Sequence, residues 1–302
     1  MPCYHPIPAY QDARVTPDGE VKRNRPQMGP RVKDTNLQLP CGSCLGCRTA
    51  RATEWGIRAT HEAAFWEHNC FLTLTYNDES LPHDGQLEPR ALQLFLKKLR
   101  RAADRAHPAL ARDPHSGLRY LASGEYGEHN GRPHYHLCLF NCSFTDTHPV
   151  AGDLVESPLL QQLWPAGQHR LGSLTSKSAT YVAKYTVKNE SKATTLPNGV
   201  KIQIQPFLRM SLKPAIGTQW IKKYKTDLQH GYLVTNGYKG RIPRHYKNAL
   251  ERDDPGLMAG IQQRAADYAA RTAPAGPQEQ QRHLTETEKI HTSELNKRQR
   301  KL

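Results

Sequence analysis

Residues 124–140, GEYGEHNGRPHYHLCLF, contain the pattern that decides the fold. Apolar and polar residues alternate on both sides of Asn130-Gly131, a dipeptide typical of a two-residue type I′ hairpin turn. We therefore predict that Leu118–Tyr126 and Arg132–Phe140 are antiparallel strands joined by this turn.

The second strand carries His134-Tyr135-His136. Side chains alternate along a strand, so both imidazoles share one face and Tyr135 lies on the other. Such a pair can hold one metal ion, although histidines at this spacing also occur as structural residues. A two-residue turn places Glu125 opposite His136 on the histidine face and Glu128 on the far face. A slip of one residue would reverse the choice of carboxylate.

Two imidazoles and one carboxylate leave positions on a metal open to a substrate oxygen, which indicates a catalytic site. The same ligands could hold iron in an oxygenase or zinc in a hydrolase. The ligand set alone therefore leaves the reaction open, and a nucleophile has to be identified.

Tyr181 and Tyr185 occur in the sequence YVAKY, inside a helix predicted over Ser176–Lys188. Residues four apart share a helix face, so the two rings form either an aromatic stripe facing the core or a pair of nucleophiles. Lys184 and Lys188 recur at the same interval on the adjacent face. Lys184 could favour the phenolate or stabilise charge that develops on a phosphate.

Three cysteines follow one another at intervals of three: Cys41, Cys44 and Cys47. Cys3 is our candidate for a fourth ligand, with His5 as the reserve. A Cys₄ zinc site would attach the N-terminal arm to the first helix. An iron–sulfur cluster and unmetallated thiols are the alternatives.

Other segments show ordinary helix and strand periodicity. Arg48–His68 is predicted to be a helix, and Pro89 is predicted to begin another. The apolar run Cys70–Tyr76 predicts a buried strand, and weaker strand patterns occur at Lys201–Phe207 and Tyr232–Thr235.

The composition favours a nucleic-acid partner. The 302 residues include 42 Lys and Arg against 28 Asp and Glu, a formal charge of +14. No apolar run is long enough to span a membrane, and the first residues lack the pattern of a secretory signal. We therefore expect no membrane partner and a reducing cytoplasm, in which the seven cysteines form no disulfides.

The pattern divides the chain into three parts. Residues 1–47 form an arm with the cysteine cluster, residues 48–250 form the main domain, and residues 251–302 form a basic tail. The tail is polar and rich in Ala, Gln, Glu, Lys and Arg, so we expect it to be flexible or conditionally helical.

Three stretches in order carry a resemblance to a known family. FLTLT at 71–75, GEYG with RPHYH around Glu125, His134 and His136, and YVAKY look like the three motifs of HUH-superfamily rolling-circle initiators. The flanking stretches PCGSCLGCR and HEAAFWEHNCFLTLTYND resemble the replication initiator proteins of microviruses, particularly the gokushovirus-like branch. These are phages with circular single-stranded DNA, and the resemblance covers residues from about 40 to 245.

The resemblance implies an α+β fold of the ferredoxin-like or RRM-like kind. A central antiparallel sheet would carry the metal hairpin, with helices on one side and the tyrosine helix near the metal. Glu125, His134 and His136 would hold Mg²⁺ or Mn²⁺ against a scissile phosphate.

The implied activity is nicking and rejoining of DNA at the phage origin. Tyr181 or Tyr185 would form a 5′-phosphotyrosine and release a 3′-OH that primes a host polymerase, and the other tyrosine would serve the second cut. The chain has no G-x₄-G-K-[ST] motif, so unwinding is expected from a host helicase in the bacterial cytoplasm. The basic residues that we expect to contact the DNA are Arg132, Lys188, Lys97 and Arg101.

Two other functions use the same features. A metal-dependent hydrolase or oxygenase could use the triad with structural tyrosines. A zinc-stabilised DNA- or RNA-binding protein could lack catalysis altogether.

Overall fold

The structure is a computed structural model. It describes residues 3–17, 21–23, 26–28, 37–82, 85–127, 131–184, 193–195, 201–203, 206–235, 237–272 and 276–299. These residues belong to two compact units, residues 1–50 with 272–302 and residues 51–271.

Over the described residues, the helices are α1 Leu45–Ala63, α2 Pro89–Asp104, α3 Pro158–Leu163, α4 Ser176–Lys184, α5 Thr218–Tyr224, α6 Arg244–Asp253, α7 Pro255–Arg271 and α8 Pro277–Gln299, with a 3₁₀ turn at Lys225–Leu228. The strands are β1 Ile7–Tyr10, β2 Ala13–Val15, β3 Val21–Arg23, β4 Gln27–Met28, β5 Leu37–Leu39, β6 Asn69–Thr75, β7 Leu110–Ala111, β8 Arg119–Tyr126, β9 Pro133–Phe140, β10 Ser143–Phe144, β11 His148–Ala151, β12 Leu154–Glu156, β13 His169–Gly172, β14 Ala193–Thr195, β15 Lys201–Gln203, β16 Phe207–Met210, β17 Leu233–Thr235 and β18 Tyr238–Gly240.

A seven-stranded sheet in the order β11-β12-β13-β6-β9-β8-β16 is the centre of the unit formed by residues 51–271. Every neighbouring pair is antiparallel. This confirms the predicted α+β class with a central antiparallel sheet. Within the described part of the chain, no helix has the length and apolar character needed to cross a membrane.

The central strands bury apolar side chains on both faces. Leu72, Leu137 and Leu139 face a core that includes α2. Leu121 and Phe140 point the other way, into a second core with residues of α1 and α4. The prediction of helices on one side was therefore wrong, because strands that are apolar on both faces need a helix layer on each.

The sequence of α2 explains why this helix packs on the sheet. Pro89 occupies its first turn, where a missing N–H costs no hydrogen bond. Leu92, Phe95, Leu96 and Leu99 then repeat at helical spacing and are all buried in the core. At about 1.5–3 kcal/mol for each buried apolar side chain, this face stabilises the packed helix by roughly 6–12 kcal/mol, an upper estimate.

Most predicted boundaries lie within three residues of those in the structure, and two elements differ by more. Helix α1 ends at Ala63 rather than His68, because the Asn69 amide donates to the Ala63 and Trp66 carbonyls at 3.1 and 2.7 Å and stops the helix. The run Lys201–Phe207 is divided between two strands, since Lys201–Gln203 pairs with β14 and Phe207 begins β16, which pairs with β8.

The C-terminal part of the chain is helical from Pro255 to Arg271 and from Pro277 to Gln299. Helical structure is one of the two states that its composition predicts. Helix α7 lies in the unit of residues 51–271, and α8 lies in the unit that contains the N-terminal residues.

We predict that His61 makes the fold sensitive to mild acid. His61 stacks on Trp220 at 3.9 Å, and burial lowers its pKa from 6.5 to about 4. The unfolded chain therefore binds a proton between these values that the folded chain does not, so stability is full above pH 6.5 and falls as pH drops towards 4. The loss should reach about 3 kcal/mol at pH 4.

The measurement is urea unfolding at pH 7 and pH 5 for the wild type and for His61→Phe, which keeps a stacking ring. The difference in unfolding free energy between the two pH values should be smaller in the variant. His115→Phe, at an exposed histidine, is the control and should behave as wild type. An unchanged pH dependence in His61→Phe would contradict the prediction.

Candidate active site

The hairpin formed by β8 and β9 has a register that differs by two residues from the predicted one. Glu125 lies opposite His134, and Ser123 lies opposite His136. The predicted pairing of Glu125 with His136 was therefore wrong. The choice of Glu125 as the residue on the histidine face was right, because a shift of two residues keeps every side chain on its face.

The connection between the strands explains this shift. The Gly127 N–H bonds to the Arg132 carbonyl at 2.9 Å, so four residues connect the strands instead of two. Gly131 has a φ of +59° and its N–H bonds to the Gly127 carbonyl at 3.0 Å, a loop closure that favours glycine. Residues 128–130, including Glu128 and Asn130, lie outside the described residues.

Glu125, His134 and His136 form the predicted triad. The Glu125 Oε1 atom lies 2.9 Å from His134 Nε2 and 2.8 Å from His136 Nε2. Glu125 and His136 are buried, whereas the His134 side chain is 18% exposed. The three side chains thus bring their ligand atoms together, and His134 is the most exposed of the three.

A hydrogen bond at the Nδ1 atom of each imidazole fixes the orientation of the ring. His134 Nδ1 lies 3.0 Å from the Arg132 carbonyl, which can only accept, so Nδ1 carries the proton. His136 Nδ1 lies 2.9 Å from the Thr73 hydroxyl. Held in this way, each ring presents Nε2 to the centre of the triad, as metal-ligating histidines do.

The triad fits a divalent cation. In the neutral form of His134 with its proton on Nδ1, Nε2 directs a lone pair at the Glu125 carboxylate. A cation held between these two atoms would remove their repulsion. Glu125 Oε2 is buried and has no hydrogen-bond partner among the described residues. Burial lowers the pKa of His136, although Glu125 opposes the shift, and this favours the neutral imidazole that binds metals.

Tyr181 lies directly beside the triad. Its ring is edge-on to that of His136, with centroids 5.2 Å apart, and it contacts Phe71 in the same manner at 6.3 Å. Phe71 in turn stacks on the His136 ring, with centroids 5.8 Å apart. Tyr181 is nevertheless 41% exposed, so it is not part of a buried aromatic stripe.

Helix α4 is held against the sheet by small residues and a local cap. Thr175 and Ser178 bond to each other's backbone N–H at 2.8 and 3.1 Å, which begins the helix at Ser176. A Cβ at Gly56 of α1 would lie only 2.5 Å from Thr180 Oγ1, so the close approach of the two helices requires glycine. Ala179 and Val182 are buried on the sheet side.

The remaining tyrosine and lysines of the predicted site are only partly described. Lys184 is the last described residue of α4, and its side chain is outside the description. Tyr185 and Lys188 lie outside the described residues altogether. Their roles stay predictions.

Three of the predicted DNA-contacting residues are described, and they do not lie together. Arg132 forms an ion pair with Asp78 and donates to the Tyr76 carbonyl at 3.0 Å, next to the triad hairpin. Lys97 and Arg101 are exposed on α2, which packs on the sheet face opposite the triad. A nucleotide held at the triad would therefore lie on the other side of the sheet from these two side chains.

Thr73 and Phe71 both contact His136, and the sequence pattern predicts them only as part of a buried strand. Both lie on β6, which pairs with β9 so that Thr73 is opposite His136. Alternation within FLTLT places them on one face of their strand. That this strand is the neighbour of the histidine strand is a property of the sheet order.

The four predicted zinc ligands also come together. The sulfur atoms of Cys3, Cys41, Cys44 and Cys47 all lie within 4.8 Å of one another, in the unit formed by residues 1–50 and 272–302. The candidate reserve ligand, His5, instead contacts Glu288 at 3.2 Å.

Comparisons with known proteins place this chain in a family. Residues 69–190 match the family model described as replication-associated protein ORF2/G2P. The chain is 35% identical over 262 residues to replication-associated protein VP4 of Bdellovibrio phage phiMH2K, an alignment that covers 84% of this chain and 79% of that protein. It is 32% identical over 259 residues to replication-associated protein ORF2 of Spiroplasma virus 4, covering 78% and 76%.

A third relative is replication-associated protein ORF4 of Chlamydia phage 1, at 28% identity over 233 residues, covering 73% of this chain and 55% of that protein. No solved structure matches the chain. The similarities confirm the resemblance to replication initiators of the microvirus type, and the chain belongs to the family of phage replication-associated proteins.

Proposed function

We propose that this protein initiates rolling-circle replication of a phage genome by nicking and rejoining single-stranded DNA at the origin. The relatives' names support a role in phage DNA replication. The observation that carries the nicking chemistry is the contact between the exposed Tyr181 and the buried ligand His136, which brings a nucleophile to the edge of a cation site.

The ligand chemistry supports Mg²⁺ or Mn²⁺ in the triad of Glu125, His134 and His136. A divalent cation held there would withdraw charge from a phosphate oxygen and make phosphorus a better electrophile. The His134 side chain is the most exposed of the three, so a phosphate would approach the triad from its side. The Arg132 carbonyl and the Thr73 hydroxyl hold the imidazoles in place, so the ligands need little reorganisation.

Tyr181 would supply the attacking atom. Its phenol oxygen forms a bond to phosphorus as the bond from phosphorus to the 3′ oxygen breaks. The phenol gives up its proton, the 3′ oxygen takes one up, and a 5′-phosphotyrosine and a free 3′-OH result. The free hydroxyl can then prime a host polymerase, and a host helicase would supply the unwinding.

Rolling-circle replication needs a second nucleophile, and Tyr185 would supply it. When the origin is regenerated, Tyr181 is still esterified, so another nucleophile must make the second cut. Tyr185 is four residues after Tyr181 in the sequence, and in a helix that continued past Lys184 this spacing would place the two on one face. Lys184 and Lys188 would counter the phosphate charge, with Arg132 as a further contact beside the hairpin. Lys97 and Arg101 would contact only a part of the DNA that passes the opposite face of the sheet.

We predict that Glu125→Gln, which keeps the shape of the side chain but removes its charge, weakens Mn²⁺ binding. Loss of a residue that only orients a ligand costs roughly 10- to 100-fold in affinity, so loss of the ligand charge should cost at least as much. Thr73→Val should reduce affinity by roughly 10-fold, because His136 loses its partner at Nδ1. Isothermal titration with Mn²⁺ measures both effects.

Thr75→Val is the matched control. Thr75 is on the same strand face as Thr73, but its hydroxyl bonds to the Gln168 carbonyl at 3.3 Å and to neither imidazole. This variant should bind Mn²⁺ as wild type does. Equal Mn²⁺ affinity in wild type and Glu125→Gln would remove Glu125 from the proposed site.

We predict that the wild-type protein with Mn²⁺ and single-stranded DNA from its phage origin forms a covalent adduct that survives denaturing electrophoresis. Peptide mapping should find the nucleotide on Tyr181 or Tyr185. The double variant Tyr181→Phe/Tyr185→Phe should form no adduct and still bind the DNA. His136→Ala should also abolish nicking, with far less effect on DNA affinity.

Tyr268→Phe is the control, since Tyr268 is an exposed tyrosine on α7. It should form the adduct normally. Normal nicking by the double variant would exclude the tyrosine mechanism. Cleavage without an adduct would instead favour a metal-dependent hydrolase, and DNA that is bound but intact would favour a non-catalytic binding protein.

We predict that Gly56→Ala slows adduct formation by roughly 10- to 100-fold. The new methyl group would collide with Thr180 and displace α4, and displacements of about 1 Å have effects of this size on catalysis. Mn²⁺ affinity should be unchanged, because the ligands are on β8 and β9. Gly260→Ala on α7, where a Cβ meets nothing within 4 Å, is the matched control. A wild-type rate in Gly56→Ala would show that this contact does not position the tyrosine.

A further inference from the structure

A cluster of four thiols lies outside the proposed nicking site. We call Cys3, Cys41, Cys44 and Cys47 the thiol cluster. The Cys3 and Cys44 sulfurs are 3.9 Å apart, and the Cys41 and Cys47 sulfurs are 4.0 Å apart. None of the four is in a disulfide, whose sulfurs would be about 2.05 Å apart.

These separations are those of ligands around one ion. Four sulfurs placed at about 2.3 Å from a central metal in a tetrahedron are about 3.8 Å from each other. All four sulfur atoms in the thiol cluster lie within 4.8 Å of one another, in two pairs at close to this value. The space between them therefore suits a single tetrahedral ion.

The backbone around the thiol cluster is arranged to stabilise thiolate charge. The N–H groups of Cys41, Cys44 and Cys47 point at the sulfurs of Cys3, Cys41 and Cys44, at 3.2, 3.3 and 3.4 Å respectively. The Tyr4 N–H adds a second bond to the Cys44 sulfur at 3.4 Å. Donors directed at a sulfur favour its thiolate, the form that binds a metal.

The bend that brings these sulfurs together depends on Gly42. Its φ is +79°, a conformation that L side chains rarely adopt, and it turns the chain between Cys41 and the start of α1. Without a cation, the negative charges of neighbouring thiolates would repel one another, whereas a divalent ion would neutralise part of that charge.

The unit that contains the thiol cluster has little other core. Among its described residues, the buried apolar side chains are Tyr4, Ala9 and Leu284. Cores this small usually need a disulfide or a metal for stability. Tyr4 follows Cys3 directly, and its hydroxyl lies 2.8 Å from His291 Nδ1 on α8, so an ion at the thiol cluster would also hold this helix contact.

We propose that the thiol cluster binds one structural Zn²⁺ ion that ties the N-terminal residues to the start of α1. Thiolates are ligands that zinc favours, and a set of four protein ligands leaves no position for substrate. This separates the thiol cluster from the triad, whose nitrogen and oxygen ligands leave positions open. The proposal does not depend on the nicking mechanism.

The test is the metal content of the full-length protein by elemental analysis. Wild type should contain close to one zinc ion per chain, and Cys44→Ser close to none. Cys70→Ala is the matched control, because Cys70 is a buried cysteine of β6, and it should keep its zinc. His136→Ala should also keep its zinc but lose Mn²⁺ binding, which separates the thiol cluster from the triad.

A second measurement uses wild type alone, in case Cys44→Ser does not fold. A mercurial thiol reagent should release zinc in step with the modification of four cysteines, and Co²⁺ should replace the ion with the absorption of a tetrahedral tetrathiolate complex. Removal of zinc should increase protease cleavage within residues 1–50. Wild type without stoichiometric zinc, or with iron in its place, would overturn the proposal, as would zinc that is lost in His136→Ala and kept in Cys44→Ser.

Discussion

The hydrogen-bonded pairing of β8 with β9 is the constraint on which the candidate site depends. Because side chains alternate along paired strands, this register brings Glu125, His134 and His136 to one face of the sheet. A shift of one residue would carry Glu125 to the face covered by α2. The actual register differs by two residues from the one that the turn dipeptide predicts, so the opposite partner changes while the face does not.

The sheet positions the proposed nucleophile as well as the proposed ligands. Its central strands are apolar on both faces, and the helices α1 and α4 cover the face that carries the triad. Tyr181 is placed at the edge of this layer, against His136 but exposed, because Gly56 allows α1 and α4 to approach closely. Tyr181 and the triad therefore share one rigid support, which is the arrangement that the proposed catalysis needs.

The two candidate metal sites differ in ligand chemistry and suit different roles. The triad offers two nitrogens and a carboxylate, a set that would leave positions on an ion for substrate, and its His134 side chain is 18% exposed. The thiol cluster offers four sulfurs with backbone donors directed at them. Its closed ligand set suits a structural ion in a unit with few buried apolar side chains.

Local patterns were sufficient to predict the antiparallel α+β class, the main strands and helices, the triad and the thiol cluster, because turn residues, strand alternation and cysteine spacing act over short distances. The sheet order, the helix layer on each face, the orienting role of Thr73 and the location of Lys97 behind the sheet were not predictable in this way. Each depends on which strands become neighbours, and that is settled by the packing of residues distant in the chain. The same packing decided that Tyr181 is an exposed neighbour of His136 rather than a core residue.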